Sequence, residues 1–333
     1  MTVDAQTAVD VVFAGLERSE YERLTRELTG YCYRMLGSPF DAEDAVQDTM
    51  VRAWRDHEHF EGRSSLRTWL YRIATNVCID MLRSRGRRVI PMDLQPPSRV
   101  EGLHSMSTLP EHEWVLPVPG SWVAADDDPA QRAISRETVR LAFIAAIQHL
   151  TPRQRAVLIL RDVLQFSAAE SAELLGTTVA SANSALQRAR VATPGRAAGE
   201  ATARAATVGE DDDRALLDEY VSAFEAYDMS RLTSLLRTDA VQQMPPFEIW
   251  LSGRDQMLAF WAGPGAECSG SRLLPTSANG CAAFAQYRRD GQSGHKPWAI
   301  QVLETEGGLI SAMHFFVMMP KLFAVFGMPA SLP

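Results

Sequence analysis

The sequence predicts a multidomain fold in which two all-α compartments precede an α+β one. Three observations carry that expectation. Up to about residue 194 the apolar residues recur at helical spacing, with few β-branched runs. This pattern is interrupted by a proline-rich stretch from Val89 to about Asp128 (Pro91, Pro96, Pro97, Pro110, Pro117, Pro119) and ends in a Gly, Ala and Thr stretch from Gly195 to Asp213. After Arg214, two amphipathic stretches give way to short apolar runs separated by Gly291, Gly294, Gly307 and Gly308, the pattern of helices followed by an antiparallel sheet. The expected boundaries are residues 1–90, a linker at 91–130, residues 131–194, a linker at 195–213, and residues 214–333.

A chain of 333 residues, 46% hydrophobic and 22% charged, has the length and composition for two or three packed cores. Its formal charge of −8 is unevenly placed. Residues 63–90 hold seven basic groups against one acidic, and residues 151–204 seven against four, whereas residues 1–62 hold six against thirteen and residues 205–333 nine against fifteen. Two arginine-rich islands in an acidic chain point to two separate contacts with a polyanion. Cys32, Cys78, Cys268 and Cys281 form no CxxC pair, so neither a metal nor a redox motif is expected, and no cofactor is implied. The N-terminus carries Asp4 and Asp10 rather than a basic segment before an apolar run, and no stretch approaches the ~18 apolar residues of a membrane span. A cytoplasmic protein with reduced thiols and no membrane partner is the expectation.

In the first compartment, DAEDAVQDTMVRAW (residues 41–54) starts with Asp41 as a plausible N-cap and repeats Ala42, Val46, Met50 and Trp54 along one face. Glu43, Asp44, Gln47 and Asp48 fall on the other side, either as an ordinary solvated surface or as an acidic docking face. The segment FEGRSSLRTWLYRIATNVCIDMLRSRGRR (residues 60–88) joins a small loop, an aromatic-rich helix and an arginine tail. Leu66, Leu70, Ile73, Val77 and Met81 form its expected core stripe, leaving Arg67, Arg72, Asn76, Asp80 and Arg83 on the surface. Trp69 and Tyr71 between arginines supply rings for stacking beside guanidinium groups for phosphates, or else belong to the core.

In the second compartment, Thr151 caps a helix with Pro152 at its first position, and Ser167 with Glu170 has the spacing of a capping box. Gly176 permits a tight turn, and Thr178 caps a third helix running through Ser181 to Arg190. This is helix-turn-helix geometry, which many helical hairpins share. Its exposed candidates are Ser181, Asn183, Ser184 and Gln187 for base edges and Arg188 and Arg190 for phosphates.

Residues 41–83 resemble region 2 of a sigma-70 family factor of the extracytoplasmic function (ECF) group, matching its DAED-VQ-T and SS-L-RTWLYRIA-N-D-R signatures almost residue for residue. The following helix-turn-helix resembles region 4 of the same family. The resemblance implies a protein that binds core RNA polymerase and directs promoter-specific initiation. Asp41, Glu43, Asp44, Gln47 and Asp48 would dock on the β′ clamp helices, with region 4 on the β flap. Phe60, Arg63, Ser64, Ser65, Arg67, Trp69, Arg72, Asn76, Asp80, Arg83, Arg87 and Arg88 would handle the −10 element, the loop from Phe60 capturing a flipped base. Ser181, Asn183, Ser184, Gln187, Arg188 and Arg190 would read the −35 element. Relatives often carry Lys and Arg where this chain has Asn183 and Ala185, so its target is its own. The proline-rich linker, with Trp114, Trp122 and the acidic Asp126 to Asp128, resembles the family's RNA-exit segment, and its plain reading is a disordered tether.

Residues 220–261 resemble a SnoaL-like domain of the nuclear-transport-factor-like superfamily, a curved sheet wrapped by helices into a cone with an apolar pocket. Phe247, Trp250, Trp261, Tyr287, Trp298 and Phe316 are its candidate lining. Asp255, His295 and His314 are the only acid–base candidates, each with a structural reading that outweighs catalysis. Regulation by intramolecular contact with the sigma core, through the domain or the apolar tail from Lys321 to Pro333, is preferred to a small-molecule isomerase or hydrolase.

Overall fold

In a computed structural model, residues 17–60, 64–103, 106–122, 134–193, 210–291 and 294–333 are described. The chain divides into two compact units, one made of Met1–Arg88 with Ser121–Ala203 and the other of Val89–Gly120 with Arg204–Pro333. The two helical compartments are therefore a single unit, and most of the expected linker belongs to the α+β unit.

The helical unit begins with α1 (Arg18–Leu36), which ends at Gly37 in the left-handed region, where the glycine N–H donates to Tyr33 O at 2.7 Å. Helix α2 (Pro39–Asp56) starts three residues earlier than expected. Ser38, not Asp41, is its N-cap, accepting from Asp41 N at 3.4 Å, and Pro39 suits the first turn because its missing N–H is an orphan there anyway. Ala42, Ala45 and Ala53 are fully buried. Helix α3 (Leu66–Arg85) is capped by Ser65, and its buried face includes Leu70, Tyr71, Ala74, Val77 and Cys78. Of the expected stripe only Leu70 and Val77 are fully buried; Leu66, Ile73 and Met81 are half-buried. Tyr71 packs edge-on against Tyr31 at 5.2 Å and is core, so its ring is closed to a nucleobase.

The second half of the unit holds α4 (Leu141–Gln148), α5 (Pro152–Leu158, continued by a π turn over Ile159–Val163), α6 (Ala168–Leu174) and α7 (Val179–Ala192). Thr151 with Gln154 and Ser167 with Glu170 form reciprocal capping boxes, Gly176 adopts φ 57°, and Thr178 caps α7. Two buried arginines tie the halves together. Arg155 donates to Met35 O, to Gln148 Oε1 at 2.7 Å and to Gln148 O at 2.9 Å; Arg34 donates to Gly30 O at 3.0 Å and Thr138 O at 3.3 Å. Burial lowers both to about 10, so they stay charged at neutral pH, and carbonyl acceptors offset their desolvation.

The α+β unit is a six-stranded sheet in the order β2-β1-β6-β5-β4-β3. Its strands are β1 (Leu236–Gln243), β2 (Trp250–Ser252), β3 (Arg272–Ala278), β4 (Cys281–Arg289), β5 (His295–Glu306) and β6 (Leu309–Val317), with only the β1–β6 pair parallel. The apolar runs correspond to β4, β5 and β6. Of the second amphipathic stretch after Arg214, read from Leu232, Leu235 and Leu236, only the first lies on a helix, and Leu236 opens β1. Helices α8 (Glu210–Glu225), α9 (Met229–Ser234) and α10 (Arg254–Ala262) supply Tyr220, Phe224, Leu232, Met257 and Phe260 to one core with Phe284, Leu303, Met313 and Phe315 from the sheet.

The described residues of 89–103 and 106–120 form a strap on this unit rather than a disordered tether. Gln95 donates to Glu248 O at 2.8 Å and accepts from Trp250 Nε1 at 2.8 Å; Val100 N donates to Gln256 Oε1 at 3.0 Å; Val118 N donates to Asn279 Oδ1 at 2.9 Å. Trp114 is fully buried. The strap is tied beside β1 and β2 at one end and at the β3–β4 turn at the other, so its attachments reach both edges of the sheet. Asp126 to Asp128 lie outside the described residues. The C-terminal tail also folds back on its own unit: Leu322 and Phe323 of α11 (Pro320–Val325) are buried, Pro329 O accepts from Tyr287 Oη at 2.8 Å, and Leu332 pairs with His295. It is therefore engaged locally, contrary to the expectation that it docks on the sigma core.

Candidate nucleic-acid interface and cavity

On α2 the 3.6-residue period places Ala42, Ala45, Val46, Thr49 and Met50 inward and leaves Glu43, Asp44, Gln47 and Asp48 exposed. Partial burial, with the Asp44 carboxylate beside it, raises Glu43 above its ordinary range. Asp41 departs from the expected acidic face. It is buried, with Arg85 and Arg88 both donating to its carboxylate, and Arg88 is buried with it. Neither Asp41 nor Arg88 is available as a surface contact, because each neutralises the other inside the fold.

Along α3, Arg72, Asn76, Asp80 and Arg83 are exposed. Asp80 takes Arg83 at 3.5 Å and Arg52 at 3.6 Å, so it organises neighbouring guanidinium groups. Arg67 is half-buried, paired to Glu27 at 3.0 Å and stacked 4.6 Å above the Phe166 ring from the second half of the unit. Trp69 is half-buried with its ring centroid 4.9 Å from Phe60, so the two form an aromatic wall beside half-buried Ser64 and exposed Ser65. Arg63 lies outside the described residues. Arg87 is exposed and contacts His149 Nδ1 at 2.8 Å.

On α7, Ala182, Leu186 and Ala189 are buried, which leaves Ser181, Asn183, Ser184, Gln187, Arg188 and Arg190 exposed. Arg190 is held by Asp162, with Nε–Oδ2 at 2.9 Å, and this hydrogen bond raises it further above the usual arginine value. No ion pair holds Arg188 among the described residues. The face thus offers amides and hydroxyls at its centre and one unengaged guanidinium.

In the α+β unit, a cavity of about 260 Å³ opens between the sheet and α8, α9 and α10. Phe247, Trp261 and Trp298 line it as expected; Trp250, Tyr287 and Phe316 do not. Trp250 is tied to Gln95 of the strap, and Tyr287 to Pro329 of the tail. Phe316 is a matter of strand parity: alternation sends Phe315 and Val317 to the cavity and Phe316 to the opposite face. Sequence reasoning missed Gln242, Gln286, Arg288 and Met106 on the wall. Alternation along β4 from Phe284 marks Gln286 and Arg288, whereas nothing local marks Met106. None of the acid–base candidates lines the cavity. Asp255 is exposed on α10, His295 contacts Gly270 O at 3.2 Å, and His314 is buried against Glu304 at 3.0 Å and Gln243. Among the described residues no helix is long and apolar enough to cross a membrane.

Comparison with known proteins matches three family models in order along the chain: Sigma-70 region 2 over residues 20–88, Sigma-70 region 4 over residues 140–192 and a SnoaL-like domain over residues 217–313. The ECF RNA polymerase sigma factor SigG of Mycobacterium tuberculosis is 42% identical over 316 residues, covering 93% of this chain and 83% of the relative. SigJ of the same organism is 30% identical over 227 residues, 67% of this chain and 63% of the relative. The crystal structure of SigJ superposes with a TM-score of 0.60 at 23% identity, covering 94% of this chain and all of that one.

Proposed function

The chain belongs to the extracytoplasmic function group of sigma-70 factors, which bind core RNA polymerase and direct promoter-specific initiation, and from that premise we propose which of its surfaces carry each step. The acidic face of α2, formed by Glu43, Asp44, Gln47 and Asp48, docks on the β′ clamp helices, and the second half of the helical unit meets the β flap. Arg72, Asn76, Arg83 and Arg87 follow the −10 strand, with the Phe60–Trp69 wall and Ser64 receiving an extruded base. Ser181, Asn183, Ser184 and Gln187 read −35 base edges, and Arg188 holds a phosphate. The observation that carries this assignment is the clean division of α7, in which one face is buried and every −35 candidate lies on the other.

Arg67 and Arg190, each already engaged inside the unit, act first as internal partners and second as DNA contacts. Because Arg67 and Tyr71 pack on Phe166, separating the −10 helix from the second half of the unit costs these aromatic and cation contacts. The α+β unit regulates through the strap, which is the stretch of chain joining the two promoter-reading halves.

The test is run-off transcription with core polymerase and the full chain over a genomic promoter pool. Initiation at a selected subset is expected; failure at every promoter would remove the assignment. Truncating the chain before the α+β unit is a poor control, since it strips the strap of its attachment. Charge reversal of Glu43 and Asp44 is the better one, expected to abolish initiation by weakening polymerase binding.

A further inference from the structure

The cavity of the α+β unit has a wall that is almost wholly apolar, and its few polar groups are nearly all spent on one another. Tyr227 Oη lies 2.9 Å from Trp261 O and 2.8 Å from Gly265 O. Gln286 donates to Ser271 Oγ at 3.0 Å and accepts from Gln301 at 2.9 Å. Glu267 and Arg288 pair at 2.8 Å, with the guanidinium lying over Trp298.

Gln242 is the exception. It is 2% exposed and lines the cavity. Trp261 Nε1, which can only donate, sits 2.9 Å from Oε1 and so fixes which end of the amide is oxygen. The Nε2 end is then a two-proton donor facing the cavity, and its acceptor there is the Met244 thioether at 3.2 Å, among the weakest acceptors in proteins. A buried amide proton without a good acceptor is costly, and an acceptor placed in the cavity would relieve it.

The wall also includes part of the strap. Met106 stands at the cavity and is 37% exposed. Its neighbours are fastened to the loop that carries Met244 and Phe247 of the wall: Glu248 N donates to Ser107 O at 3.0 Å, and Leu109 N donates to Pro246 O at 3.0 Å. A molecule filling the cavity would cover Met106 and Phe247 together and so hold the strap to this unit.

We propose that the cavity binds a small, flat, apolar molecule bearing one hydrogen-bond acceptor, which meets Gln242 Nε2, stacks among Trp261, Trp298 and Phe247, and secures the strap through Met106. At about 260 Å³ the space lies just below the range for drug-sized ligands, which suits one or two fused rings.

The experiment is isothermal titration of the full chain with 1-indanone and with indane, its match lacking the carbonyl. Binding is read without polymerase or DNA, so the outcome is independent of the surfaces assigned to the promoter. Expected are saturable binding of both, indanone about fivefold tighter, and loss of that ratio in Gln242→Met. Met106→Ala, a change at an exposed position, should weaken both compounds alike by several-fold, and amide exchange over residues 106–109 should slow when indanone is added to the unaltered chain. Absence of binding by either compound overturns the site. Equal affinity of the two, or a ratio that survives Gln242→Met, overturns the role of the amide; unchanged affinity in Met106→Ala together with unchanged exchange overturns the link to the strap. Where Gln242→Met does not fold, the ratio in the unaltered chain and Met106→Ala decide.

Discussion

The two arginine-rich islands differ less in how much charge they hold than in how much of it is left for a partner. In residues 63–90, Arg67 is paired with Glu27, Arg83 with Asp80, and Arg85 and Arg88 with Asp41. On α7 of the second island only Arg190 is held, by Asp162, and the polar face around Arg188 is open. The first island therefore spends much of its charge on its own architecture, and the second does the same with buried Arg155, but the face of α7 keeps Arg188 directed outward. A charge count along the chain locates a polyanion-binding region but does not measure it, because an arginine facing a buried carboxylate is neutralised before any DNA arrives.

The largest expected effect comes from removing the anion that organises the first island. Asp41→Ala removes the buried carboxylate on which Arg85 and Arg88 converge and should destabilise the helical unit by about 3–5 kcal/mol in urea unfolding, whereas Glu43→Ala, on the exposed face, should stay within about 0.5 kcal/mol. Equal effects would mean that Asp41 is no more internal than Glu43 and would break the comparison. Next in size, Gln187→Ala should cost about 1–3 kcal/mol of discrimination at one −35 base pair, measured by competition among promoter variants for the holoenzyme. Arg188→Ala should instead weaken promoter binding alike across sequences and reduce the salt slope by about one, with Arg190→Ala doing less because Asp162 already holds that guanidinium. The smallest effect is the most discriminating. Asp162→Ala should change stability by about 1 kcal/mol, since the Arg190 end of the pair is half-exposed, yet steepen the salt dependence of promoter binding by releasing Arg190. An unchanged slope would show that Arg190 never reaches phosphate.

Much of the helical unit was legible residue by residue. Thr151, Pro152, Ser167, Glu170, Gly176 and Thr178 punctuate the helices where expected, since a cap concerns atoms three or four residues apart. The misreadings share a cause. Asp41 looked like an exposed cap because its partner Arg88 is 47 residues away, and the proline-rich stretch looked like a tether because Gln95 meets Glu248 across 153 residues. In the cavity, Trp261 and Trp298 were found by being large and apolar. Phe316 was misplaced because a run of consecutive apolar residues hides which parity faces inward, and Gln242 was passed over because a buried amide looks polar and therefore superficial.

The sequence by itself determined the order of the modules, their helical or sheet character and the polar faces of α2 and α7, because capping, periodicity and composition act over a few bonds of chain. The tertiary structure decided which arginines remain unengaged, that the two helical compartments form one unit, that the strap belongs to the α+β unit, and which side of each strand faces the cavity. Those outcomes depend on desolvation and on partners distant in sequence, and a side chain is committed to one only when the fold brings the two together.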